Sequence, residues 1–103
     1  MTRTERKQIA AAFRACLPCL WDGKGECPND KTEFICWALE ESRHEHGRAA
    51  QWVVMGRLCG CGEFSNWLFR QIGVNRYAKE VTPERLQAHR RAWVRKLIKE
   101  FES

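Results

Sequence analysis

The chain has 103 residues, 44% apolar and 30% charged, with a formal net charge of +5. That balance excludes a disordered tail and gives one compact globular domain over residues 1–103, with five tryptophans and five phenylalanines to fill its core. No apolar run approaches the ~20 residues that a membrane-spanning helix needs, so no membrane partner is expected.

The opening residues, Met1 to Lys7, are polar and lack the apolar stretch of a secretion signal, so a cytoplasmic protein is expected. There its six cysteines are expected as thiols or metal ligands rather than disulfides. From about Thr4 to Cys16, the residues Ile9, Ala12, Phe13 and Cys16 fall on one side of a helix. Pro18 lacks an N–H and restricts Leu17, so the helix ends or kinks there.

Gly23, Gly25, Pro28 and Asn29 mark a loop whose start Trp21 anchors. Asp30 then suits an N-cap with Glu33 three residues on, as in a capping box. The second predicted helix runs from there to about His46, stops at Gly47, and buries Phe34, Ile35, Ala38 and Leu39. A third spans about Arg48 to Leu58 with Trp52, Val53, Met55 and Leu58 as its apolar set, and is broken by Cys59-Gly60-Cys61-Gly62. A short fourth covers Ser65 to Ile72, carries Trp67, Leu68 and Ile72, and ends at Gly73. Val74 to Val81 connects it onward, with Tyr77 packed inward.

The last predicted helix has the clearest signals. Thr82 suits the N-cap, Pro83 the first helical position, and Glu84 the positive end of the helix dipole. Leu86, Trp93, Leu97 and Phe101 recur at helical spacing, flanked by His89, Val94 and Ile98. Arg91, Arg95 and Lys99 form a row at i, i+4, i+8 on another side. Strand alternation and hairpin dipeptides are missing from the sequence, so the fold class is all-α: four to five helices ending in a long amphipathic one. Each predicted element or its leading loop holds one tryptophan (Trp21, Trp37, Trp52, Trp67 or Trp93), which reads as core construction rather than a platform for stacking bases.

Cys16-Leu17-Pro18-Cys19 has the spacing of a redox pair, but it lies at the carboxyl end of a helix, where the dipole disfavours a thiolate. A structural zinc is the alternative, with Cys16, Cys19 and Cys27 as ligands and Cys36, Cys59, Cys61, His44 or His46 completing a tetrahedron. The second close pair that strong zinc patterns carry is lacking, since Cys59 and Cys61 are one residue apart. Packing is therefore the preferred role for Cys16 and Cys36. His44 and His46 stand two apart, on different sides of a helix, unlike the i, i+4 pair of a metalloprotease. With no phosphate-cradling loop and no nucleophile elbow, an enzyme is not expected. A helix-turn-helix built from the third and fourth predicted helices would expose only Asn66, Arg70 and Gln71 to a groove.

Residues 1–51 balance eight Lys/Arg against eight Asp/Glu, whereas residues 52–103 set ten against five. A basic second half points to an acidic partner, either a protein surface or nucleic acid, and competes with the plainer reading of a solvated helix face. The segments Leu20 to Gly23, Lys31 to Leu39 and His89 to Phe101 together resemble small helical proteins encoded by bacteriophages and prophages. The resemblance implies a non-enzymatic protein that binds and modulates a host protein or defence complex in the host cytosol. Arg91, Arg95 and Lys99, with Arg90 and Lys96 beside them, are then the expected contact surface for an acidic partner. DNA binding, with or without zinc, is the alternative function, and leftover apolar surface is open to a homodimer.

Overall fold

The computed structural model describes residues 1–19, 48–59 and 62–103. They form α1 (Arg3–Cys16), a 3-10 turn (Leu17–Cys19), α2 (Arg48–Cys59), α3 (Glu63–Ile72) and α4 (Pro83–Glu102), with no strand among the described residues. The helix expected from Asp30 to His46 lies outside the described residues, as do Trp21, Trp37, Cys27, Cys36 and Cys61. So do the side chains of Cys19, Met55, Leu58 and Cys59.

α1 starts before the expected Thr4. Thr2 is its N-cap: the Thr2 hydroxyl accepts from the Glu5 N–H at 3.0 Å, and the Glu5 carboxylate accepts from the Thr2 N–H at 3.0 Å. This reciprocal pair satisfies two donors that the first turn would otherwise leave open. Hydrogen bonding to the Thr2 backbone N–H first, and then to the Thr2 side chain, holds the Glu5 carboxyl below its usual range. α3 likewise begins two residues early, at Glu63, after Gly62 in the left-handed region at φ 71°. It ends as the sequence indicates, on a left-handed Gly73 whose N–H donates to the Phe69 carbonyl at 2.7 Å.

α4 begins where its signals place it. The Thr82 hydroxyl accepts from the Arg85 N–H at 3.2 Å, and Pro83 occupies the first turn. Thr82→Ala is expected to cost about 1 kcal/mol in urea unfolding, with Thr82→Ser close to wild type. A null result for the alanine would mean that this cap carries no stability.

The core is built chiefly where α4 lies against α1. The two helices run antiparallel: Arg6 reaches the Glu100 carbonyl, and Leu17 lies beside Arg91. Ile9, Phe13 and Cys16 of α1 meet Leu86, Trp93, Val94, Leu97 and Phe101 of α4, all buried, and the Phe13 and Phe101 rings are 5.7 Å apart. Val54 of α2 and Phe64 and Leu68 of α3 close the cluster.

Two expected core aromatics stand outside it. Trp52 is 71% exposed, because Ala50 and Val54 supply the buried side of α2 and Trp52 lies two residues from each, across the turn from both. Tyr77 is 56% exposed: its N–H donates to Asn75 Oδ1 in a turn, and its ring lies under the Arg76 guanidinium at 4.8 Å. Of the three described tryptophans only Trp93 is fully buried, while Trp67 is half-buried beside it with ring centroids 5.2 Å apart.

Candidate basic groove on the last helix

The basic run of α4 divides by helical phase. Arg90 is only 1% exposed, which removes it from the expected contact surface. Four residues after Leu86 and four before Val94, it falls within the buried stripe, and that spacing was already visible in the sequence. Arg91 is half-buried and donates to the Leu17 carbonyl at 2.9 Å, fastening α4 to the end of α1. Lys96 is exposed, but its ammonium sits 5.1 Å from the Trp93 ring centroid and 4.0 Å from Glu100. Arg95 and Lys99 are exposed, and among the described residues no carboxylate pairs with either.

The nearby carboxylates are engaged elsewhere. Glu102 pairs with Arg14 of α1. Glu100 takes Arg57 of α2 at 3.2 and 3.3 Å, and Arg57 Nε is 2.7 Å from Glu63 of α3. Burial pulls the Arg57 guanidinium toward deprotonation, but hydrogen bonds to Glu100 and Glu63 outweigh it and hold its pKa above the ordinary value. Arg57 thus joins three helices, a role that sequence spacing alone did not signal.

Arg95 and Lys99 edge a groove of about 540 Å³ between the last turns of α4 and the end of α1. Leu17 and Ile98 supply its apolar lining, and Arg14, Glu102 and Ser103 complete it. A second groove, about 470 Å³, lies at the start of α1 and is lined by Arg3, Arg6, Lys7 and Phe101, with Glu102 and Ser103 of the chain end. The Arg6 guanidinium there lies 5.3 Å from the Phe101 centroid.

Cys16 is fully buried, and its thiol donates to the Ala12 carbonyl at 3.3 Å, the environment of a packed side chain. Among the described residues no three His, Cys, Asp or Glu side chains gather as a metal site; Cys27, Cys36, His44 and His46 lie outside them. α3 turns Phe64 and Leu68 inward and exposes Asn66, Phe69, Arg70 and Gln71, so a recognition helix would carry one cation and an exposed ring. None of the described helices is long and apolar enough to cross a membrane.

His89 lines a small cavity of about 220 Å³ with Val81 and Arg85, and burial first, then the Arg85 charge, lowers its pKa. The unfolded chain therefore takes up this proton at higher pH than the folded one, near the ordinary value of about 6.5. The His89 contribution to stability is present above that pH and lost as pH falls through the folded pKa. His89→Gln should flatten the decline in urea midpoint from pH 7 downward, and an unchanged slope would exclude His89 as its source. No family model matches the chain, and no curated protein or solved structure matches it either.

Proposed function

We propose that this chain is a non-enzymatic binding protein that meets an acidic surface of a partner protein along the outer side of α4. The observation that carries the reading is the state of Arg95 and Lys99: exposed, one turn apart, and without a carboxylate among the described residues, while Glu100 and Glu102 are held by other arginines. Unpaired cations beside neutralised acids give a positive field that speeds encounter with an acidic partner and orients it. Cations also suit the negative end of a helix, which accounts for part of their placement but not for the groove beside them. The resemblance to small phage helical proteins supplies the kind of partner: a host protein or defence complex that the bound protein modulates.

The test is capture from nuclease-treated bacterial lysate with wild type and with the double variant Arg95→Glu, Lys99→Glu. The double variant should lose the partner while its stability changes by no more than about 0.5 kcal/mol. Equal capture by both proteins would take this surface out of consideration. A second reading, contact with nucleic-acid phosphates, is favoured by the groove that carries Arg3, Arg6 and Lys7. Under that reading a random duplex is shifted in a gel at low salt, and the shift weakens steeply as salt rises.

A further inference from the structure

Among the described residues, the groove between α1 and α4 combines several independent features. Its apolar lining comes from Leu17 and Ile98, its basic lining from Arg14, Arg95 and Lys99, and the one acidic side chain among its lining residues, Glu102, is already paired with Arg14. A groove used only for charge would not need the apolar lining, and a site for a neutral hydrocarbon would not be lined by two cations that no carboxylate pairs among the described residues. A volume of about 540 Å³ exceeds what a single inorganic anion fills and falls in the size range of ligand-binding clefts.

The register narrows the occupant. Arg95 and Lys99 are one turn apart, about 6 Å along the axis, and Ile98 precedes Lys99 by one residue. An acidic helix repeats this spacing when two carboxylates stand four residues apart and an apolar side chain neighbours one of them. The geometry points to a partner segment of that kind: an acidic helix whose single leucine-like side chain seats between Leu17 and Ile98 while its two carboxylates meet Arg95 and Lys99. The assignment rests on the reading that the α4 cations face a partner protein, and it specifies what that partner presents. Each carboxylate gains a charge-assisted hydrogen bond, and the apolar side chain supplies the burial that sets residence time.

Three labelled helical peptides test it by fluorescence anisotropy with the full chain. The first has Glu at two positions four apart and Leu beside one of them; the second replaces Leu by Ser; the third replaces both Glu by Gln. The first is expected to bind about ten-fold more tightly than either of the others, shifting the methyl resonances of Leu17 and Ile98 and leaving those of Ile72 in place. Arg95→Glu with Lys99→Glu, both exposed and outside the core, should abolish its binding. Leu17→Gln should reduce the first peptide to the level of the second, with circular dichroism confirming the fold.

If the first two peptides bind equally, the groove inference fails while the reading of α4 as a charged contact surface survives. If none of the three binds and a duplex oligonucleotide does, both fail and the phosphate reading replaces them. Resonance shifts confined to the Arg3, Arg6 and Lys7 groove would also overturn the inference, since the acidic helix would then be docking elsewhere.

Discussion

Truncating Trp93 to alanine is expected to destabilise the protein by about 4 kcal/mol, the upper range for losing a buried aromatic. For a chain of this length that lowers the thermal midpoint by about 20 °C. The residue is 2% exposed, in ring contact with Phe64 at 6.2 Å and Trp67 at 5.2 Å. Its indole N–H also donates to the Arg57 carbonyl at 3.1 Å. That carbonyl belongs to the last turn of α2, where helix geometry leaves carbonyls without an internal partner. Trp93 therefore both fills the core and caps a second helix. Trp93→Phe separates the two roles: most packing stays, and the uncapped carbonyl costs about 1–2 kcal/mol. Trp52→Ala is the control. At 71% exposure it should stay within about 0.5 kcal/mol of wild type. Chemical unfolding in which Trp52 and Trp93 proved equally costly would contradict this assignment of the core.

The contrast between these two tryptophans shows which features were legible in the sequence. In α4 the cap, the proline, the apolar spacing and the C-terminal position agree, and the helix forms over the residues they indicate. In α2 they do not agree. Trp52, Val53, Met55 and Leu58 are spread around the helix, so a list of apolar residues cannot choose the buried side, and Ala50 with Val54 takes it. The start of α1 is legible in the sequence, since Thr2 and Glu5 have capping-box spacing. Tyr77 could not be placed from pattern because a turn, not a helix, sets its direction. The groove was half legible. Arg95 and Lys99 follow from helical phase, but Arg14 and Leu17 come from a helix some eighty residues earlier in the chain, and only tertiary packing brings them alongside.

The second large effect is expected at Arg90, and it separates fold from function within one basic run. Arg90 and Arg95 are five residues apart, which sets them about 140° apart around α4. One is 1% exposed inside the stripe formed by Leu86, Val94 and Leu97; the other faces solvent at the groove. Arg90→Ala should cost about 3 kcal/mol, because it empties a large, fully buried volume. Arg90→Met restores much of the volume without the charge and should recover part of that loss. The binding assay should give the opposite order. Arg90→Met, where folded, should bind the acidic helical peptide as wild type does, whereas Arg95→Glu should weaken it at least about ten-fold with the urea midpoint nearly unchanged. If Arg90→Met instead weakened binding as much as Arg95→Glu at equal folded fraction, the contact surface would have to extend to the stripe itself, and the division of α4 into a packing side and a recognition side would be wrong.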